Sequence, residues 1–335
     1  MPTLNRSDVH VNRPLTNFSV AQIQESSEFS YRKLFGVVPV QKQADRYVEY
    51  TRSYWNRTAA AIRAPATESA GSGFHLDNTK TYFCSDWSFH QDVDDNTRDN
   101  ADSPISVDED ATRFVTRNLE LRAEKNFAAS FLSPNTWKGN METVNGVLTA
   151  KDYTPAGPEE MWDDPRSNPM KIIAQMRTQI KRTTGFTPNK LGISFDLFEA
   201  LCENVAVLDR IKYTSEAVIT EAMLARLFKL DELVVFGAIE NTAEEGQVEA
   251  NNFITSNKFL LCYSAPNPGI RTATAGVNFA WKGLPGADNN EGMRIETIRM
   301  PHLKADRIEG TYSWDQKIVC ADMGVLGTGL ISTPV

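Results

Sequence analysis

The sequence predicts a mixed α+β protein in which one long helix is the strut for separately patterned sheets. Three observations carry that expectation. Residues 106–131 contain no Gly or Pro, and their apolar positions recur at helical spacing. Residues 46–54 and 79–89 alternate at period two, the pattern of half-buried strands. Residues 169–275 switch between helical runs and short apolar runs, as in a compact α/β lobe.

Composition bounds the classes of function. The 335 residues are 41% hydrophobic and 23% charged, enough to bury a core as one large or two modest domains. No apolar run reaches the length of a bilayer-crossing helix, and the opening MPTLNRSDVHVNRPL lacks the apolar centre of a secretion signal. A chain made and kept in the cytosol is expected. Cys84, Cys202, Cys262 and Cys320 are scattered with no C-x-x-C pair, the usage of free buried thiols. A net charge of -8 argues against binding nucleic acid by neutralising phosphates, which draws on clustered Lys and Arg. The charge is unevenly placed. Residues 86–110 hold nine carboxylates against Arg98 alone, and residues 1–66 hold nine Lys or Arg against five acids. Opposite charge on two such segments signals complementary surfaces.

In chain order, residues 1–36 mix polar and apolar positions and read as an arm that needs a partner surface. VVPV at 37–40 is a strand candidate, followed by the alternating RYVEYTRSY of 46–54. Residues 56–73, NRTAAAIRAPATESAGSG, are small, Gly- and Pro-punctuated and poor core material. TKTYFCSDWSF at 79–89 returns as a second strand, with Phe83, Trp87 and Phe89 on one side. The result is a hairpin of some fifty residues, rich in aromatics and marginal in water unless something covers it. No neighbouring stretch supplies a cover, so another copy of the chain is expected to do so.

The long helix follows. Ser106 and Glu109 have the spacing of a capping box, and Asp108, Glu109 and Asp110 place negative charge at the positive end of the helix dipole. Val107, Ala111, Phe114, Val115, Leu121, Ala128 and Leu132 fall on one broad face of a rod roughly 39 Å long. Residues 137–155 are polar and turn-rich. Residues 170–183 read as an amphipathic helix closed by Gly185, followed by a strand at 191–194. Further helices are opened by Ser194 and by Ser215 or Thr220, and LVVFGAI and FLLCY read as buried strands. Strands at 294–299, 307–312 and 317–321 lead to the closing GVLGTGLI.

Motifs for chemistry are largely missing. His10, His75, His90 and His302 are far apart and none pairs at metal-ligand spacing. Asp92, Asp94 and Asn96 begin like a calcium loop, but Thr97 stands where Gly is required and Ser103 where the bidentate Glu should be. Gly324, Gly327 and Gly329 have no helix after them, and no phosphate loop or nucleophile elbow occurs. Asp163 and Asp164 read first as a turn before Pro165. No catalytic residue, cofactor or metal is assigned, and a non-enzymatic role is expected.

Several stretches carry a resemblance: FGVVPVQKQADRYVEY at 35–50, IRAPATESAGSGFHLDNTKTYF at 62–83, DVDDNTRDNADSPISVDEDATRFVTRNLELRAEKNFA at 92–128, DRIKYT at 209–214, APNPG at 265–269, and DRIEGTYSWDQKIV from Asp306. In order and spread they resemble the major capsid proteins of tailed bacteriophages, with the Hong Kong 97-type fold. The resemblance implies an N-terminal arm at 1–36 and an extended E-loop hairpin at 37–90. It also implies a peripheral domain at 91–168 with a spine helix at 105–132, an axial domain at 169–285, and returning peripheral strands at 286–335. It implies a protein that assembles with itself into hexamers and pentamers of an icosahedral head. Such a head encloses double-stranded DNA without sequence-specific binding and touches no membrane. A separate scaffolding protein, a portal, and a decoration or cement protein are the implied partners. Assembly in the host bacterial cytoplasm and residence in the virion follow. Some members cross-link neighbours through Lys and Asn; Lys80 lies on the hairpin, with no partner located.

The residues and the resemblance together define a candidate contact between copies. Arg46, Arg52, Arg57 and Arg63 on the hairpin are expected to meet carboxylates of an adjacent copy, with the 86–110 segment the first candidate and Asp92, Asp94 and Asp95 named within it. Phe83, Trp87 and Phe89 are expected to supply the burial. Two other classes stay open on the residues alone: a cytosolic α/β enzyme, and a tail or decoration protein.

Overall fold

The computed structural model describes residues 29–332 apart from 48, 51–55, 74–75, 102–104, 140, 145–146, 151, 213–218, 245, 270–271 and 285–291. Most of the expected arm, together with His10, Arg52, His75 and Ser215, lies outside the described residues.

The axis of the fold is the helix Val107–Phe131, within a residue of its expected bounds. The expected capping box does not form, because the Ser106 side chain makes no capping bond. The first turn is held instead by the Asp110 N–H donating to the Ser106 carbonyl and by Arg98, which grips Asp108 at 2.8 to 3.2 Å. Nor is the buried surface one broad face. Val107, Ala111, Val115, Leu119, Ala123, Phe127 and Phe131 are buried in strict four-residue steps, Phe114 is 49% exposed, and Leu121 and Ala128 are only partly covered. Each four-residue step advances about 40° around a helix of 3.6 residues per turn, so the stripe swings through roughly 240° from one end to the other. The helix turns its burial from one sheet to another along its length.

Its first half lies on a five-stranded sheet. The central strand is Ala305–Ile318, continuous where the sequence suggested breaks at 307–312 and 317–321. It pairs antiparallel with Ser85–Asp94 on one side and Met293–Met300 on the other, and its last residues pair with Gly276–Trp281. Val37–Val40 then adds to Gly276–Trp281 in parallel. Gly310 permits the helix to seat on this sheet, since a Cβ there would stand 2.6 Å from Val115 and 2.8 Å from Leu119.

The second half of the helix meets a four-stranded sheet in the order Glu232–Phe236, Lys190–Ser194, Lys258–Cys262, Gly324–Thr328. Alternation along these strands separates two cores. Leu191, Ile193, Phe259, Leu261 and Val325 face a helical layer made of Pro169–Thr184, Phe195–Glu203, Val205–Ile211 and Glu221–Leu227. Val234, Phe236, Leu260, Cys262 and Leu326 face Phe127 and Phe131 of the long helix, with Phe35 and Trp137 between. The lobe is thus three layers deep: helices, sheet, and the end of the strut.

Two assignments differ from expectation here. The closing GVLGTGLI segment supplies the edge strand Gly324–Thr328 of the lobe and does not return to the five-stranded sheet. Gly324 and Gly327 make this fit, because a Cβ at either would stand about 2 Å from the Trp137 or Phe259 ring. Asn257 then ties the tail down, its Oδ1 accepting from the Leu330 and Ile331 N–H groups at 2.6 and 3.2 Å. Conversely Gly276–Trp281, which falls in the implied axial domain of 169–285, is part of the five-stranded sheet, and its Asn278 Nδ2 donates to the Tyr31 and Phe35 carbonyls. Residues 137–155, read as turns, include a small hairpin of Met141–Val144 with Val147–Ala150.

Helix Pro169–Thr184 matches its expectation, capped by the Asn168 side chain and ended by Gly185 at φ 82°. Ser194 precedes its helix but its hydroxyl accepts from the Lys258 N–H instead of capping, whereas Thr220 caps Glu221–Leu227 through the Met223 N–H. The four cysteines are free, and burial pushes the Cys84 and Cys262 thiols up to about 12. Among the described residues no helix is long and apolar enough to cross a membrane.

Candidate assembly surface

A two-stranded ribbon leaves the body between residues 41 and 84. Ala44–Arg46 pairs with Thr81–Phe83, and Glu49–Tyr50 with Leu76–Asp77, both antiparallel. The ribbon is shorter than the 37–90 expected, because Val37–Val40 and Ser85–Asp94 are spent as strands of the five-stranded sheet. Its root is well anchored. Tyr82 is buried and stacks on Phe279 at 4.7 Å, and Tyr47 meets the same ring at 6.0 Å. Cys84 is buried beside them, the Phe83 N–H donates to Asp315 at 2.9 Å, and the Lys80 amine donates to the Val319 carbonyl at 3.1 Å. Every residue from 56 to 73 is exposed, Ile62 completely so, and Leu76 and Phe83 also present apolar surface to solvent.

The ten residues expected at the contact separate into two groups. Arg46, Arg57, Arg63 and Phe83 are exposed on the ribbon, with Phe83 at 57%. Arg63 donates to the Thr67 carbonyl at 2.5 Å and steadies the turn at the tip. Arg52 lies outside the described residues. The other group works within the subunit. Trp87 stacks on Trp314 at 5.6 Å beneath the Arg122 guanidinium, 4.4 Å away, and Phe89 meets Phe114 edge-on at 5.6 Å. These two side chains face the body because their strand pairs with Ala305–Ile318; only Phe83, before the turn at Cys84, remains on the ribbon.

The acidic segment is likewise matched largely within its own chain. Asp92 accepts two bonds from Arg307 at 2.8 and 3.0 Å, and Asp95 is gripped by Arg299 at 2.6 and 2.7 Å. Arg98 joins Asp108 and Asp306. Asp94 caps the short helix Asp95–Asp99 by accepting from the Thr97 N–H and hydroxyl. Hydrogen bonds from these guanidinium groups hold the Asp92, Asp95 and Asp306 carboxyls below their ordinary range. Glu109 and Asp110, exposed on the first turn of the long helix, have no ion-pair partner among the described residues.

One residue with a structural role was not singled out from the sequence. Glu124 is 3% exposed beside the helix stripe, and its carboxylate accepts from the Ser30 and Tyr31 N–H groups at 3.0 and 2.9 Å and the Ser30 hydroxyl at 2.5 Å. It closes the open N-terminus of helix Tyr31–Leu34, whose Ser30 makes no cap of its own. Burial raises its carboxyl, against the opposing pull of those bonds. Glu124 stands next to Ala123, beside the four-residue stripe and not in step with it, so no periodicity in the sequence marked it. Among the described residues no group of three or more His, Cys, Asp or Glu gathers as a metal site would.

A strut helix, a sheet along its first half, a three-layer lobe at its end and a ribbon projecting from the root is an arrangement already known. Superposed on a phage-related protein from Bordetella bronchiseptica, the chain gives a TM-score of 0.68 at 18% identity, over 92% of this chain and 94% of that one. The capsid structure of cyanophage P-SCSP1u gives 0.54 at 10% identity, over 89% and 87%. This is the Hong Kong 97-type capsid fold. The same fold is shared with the SrpI encapsulin of Synechococcus elongatus, at 0.58 and 12% identity over 94% and 93%. In sequence the chain is 23% identical to the major capsid protein of Burkholderia phage BcepMu over 332 residues, 96% of each chain. No family model matches it.

Proposed function

We propose that this Hong Kong 97-type chain is the major capsid protein of a tailed bacteriophage, forming hexamers and pentamers of the icosahedral shell around its double-stranded DNA. The observation that carries the reading is the ribbon. It is rooted by aromatic packing, yet every residue of its tip from 56 to 73 is exposed. An isolated ribbon of two short ladders is marginal in water. A neighbouring copy supplies the missing cover, and closed symmetry repeats that contact around the shell. Likeness to a phage major capsid protein along nearly the whole chain supports the same reading.

The contact proposed here is narrower than the sequence suggested. Arg46, Arg52, Arg57 and Arg63 carry the charge and Phe83, Leu76 and Ile62 the apolar surface. Their acidic counterparts are Glu109 and Asp110 of the adjacent copy, since Asp92, Asp94 and Asp95 are engaged at home. Exposed ion pairs are worth little singly, so burial dominates. In this proposal the arm, E-loop, peripheral and axial parts take their family roles. A separate scaffolding protein, a portal and a decoration protein are the partners, and assembly takes place in the host cytoplasm without catalysis.

Sedimentation and electron microscopy of the purified chain test the reading: capsomers or megadalton shells are expected, and a compact monomer that stays small at all concentrations would reject it. Deleting residues 56–73 should abolish closed shells while leaving the body folded; shells that close and survive packaging without the tip would reject the ribbon's role. Reversing Arg52 and Arg57 to Glu should lower shell yield, and an unchanged yield would remove the charge component.

A further inference from the structure

The outer face of helix Pro169–Thr184 stands apart from the rest of this acidic chain. Its inner side, Ile172, Ile173, Met176 and Ile180, is buried in the lobe, while the helix carries Lys171, Arg177, Lys181 and Arg182 and no carboxylate at all. The outer side forms a shallow open groove lined by Lys171, Ala174, Gln175, Thr178, Gln179 and Arg182. Elsewhere, Arg98, Arg166, Arg299 and Arg307 are closed by carboxylates of the same chain. Lys171, Lys181 and Arg182 are exposed and have no ion-pair partner among the described residues. A net charge of -8 describes the whole molecule, and this face has the opposite local sign.

We propose that this face rests against the phosphate backbone of the DNA enclosed by the shell, through charge and amide donors, without reading bases. The inference depends on the shell reading above and adds which surface of the lobe meets the contents. Duplex DNA presents a charge about every 1.7 Å along its axis. A rigid face whose cations Lys171 and Arg182 stand roughly 16 Å apart along the helix meets several phosphates in any register. Gln175 and Gln179 lie between those cations and offer N–H donors to phosphate oxygens. The groove is shallow and lacks a recess that would select one side chain, which favours a uniform polyanion over an acidic peptide.

The test uses unassembled full-length subunits, a 20-base-pair duplex in two unrelated sequences, and fluorescence anisotropy at several salt concentrations. The triple variant Lys171→Gln, Lys181→Gln, Arg182→Gln changes only exposed positions. Its slope of log affinity against log salt should be shallower than that of the unaltered chain by about 2 to 3, equally for both sequences. Lys282→Gln, at an exposed cation in the turn after strand Gly276–Trp281, should leave the slope unchanged. The inference is overturned by an unchanged slope in the triple variant, by no duplex binding at low salt, or by polyglutamate binding as tightly as DNA. Electron microscopy of the same two proteins, placed under assembly conditions, separates the two readings. Shells from both proteins with no difference in the DNA slope defeat this inference alone, whereas a chain that never forms shells defeats the capsid reading.

Discussion

Glu124 offers the sharpest test of how the entry of the chain is fixed to the strut. Its carboxylate serves two backbone N–H groups and one hydroxyl, all buried. Replacing it with Ala leaves the Ser30 and Tyr31 N–H groups without a partner, each at about 1–3 kcal/mol, so a loss of roughly 2–6 kcal/mol is expected. That is a large part of the about 5–15 kcal/mol that holds a typical domain. Glu124→Gln keeps one acceptor oxygen and can donate to the Ser30 hydroxyl as a protonated carboxyl would, so its loss should be smaller. The two variants also separate by pH. Because burial raises the folded-state carboxyl above its ordinary 4.5, the stability it contributes is complete below that value and declines as pH rises through the folded value. The unaltered protein should therefore lose stability over that rise, and Glu124→Gln should be flat across it. Urea unfolding of unassembled subunits at a series of pH values measures both effects. A Glu124→Ala loss under about 1 kcal/mol, or a Gln variant that keeps the original pH slope, would refute the reasoning.

Two further outcomes follow from the fold. Gly310→Val places methyl groups where Val115 and Leu119 already stand, so a loss of about 1–3 kcal/mol in urea unfolding is expected; no change would mean that the helix does not seat closely there. In strong acid, the guanidinium-bound Asp92, Asp95 and Asp306 act in the opposite sense to Glu124. Their carboxyls are depressed, so their contribution is present above their ordinary 3.8 and is lost as pH falls through the folded values. Arg299→Gln, which removes the guanidinium shared by Asp95 and Asp306, should make unfolding less sensitive to pH below that point, and an unaltered acid limb would count against the network.

The long helix was legible because nothing in residues 106–131 breaks it, and the lobe helices because their apolar faces are single-sided. The burial stripe was not, since a face that rotates through roughly 240° has no fixed direction for a periodicity count to find. Leu119, Phe127 and Phe131 were passed over for that reason, and Phe114 was wrongly placed inside. The ribbon's bounds were misread because Thr81–Phe83 and Ser85–Asp94 alternate alike. What divides them is the partner of the second, Ala305–Ile318, more than two hundred residues away. The acidic block gave a real signal with an ambiguous target. Charge counts identify that cations must come from somewhere, but only the sheet register places Arg307 opposite Asp92 and brings Arg299 to Asp95.

That internal matching bears on how copies meet. If the acids from 92 to 95 faced a neighbour's arginines, a subunit awaiting assembly would hold a strongly negative edge, and its five-stranded sheet would be strained by self-repulsion. With Arg98, Arg299 and Arg307 drawn from the same chain, the edge is neutralised before any partner arrives, and the sheet that carries the ribbon is complete in the lone subunit. Among the described residues the ribbon is then the long element whose stability is deferred. It is fixed at its root by Tyr82 and Phe279, while its tip exposes Ile62 and its arginines to whatever lies beyond. In the proposed shell, a contact made by such an element would be weak alone and gain by repetition, which would let subunits dissociate and correct their places before closure.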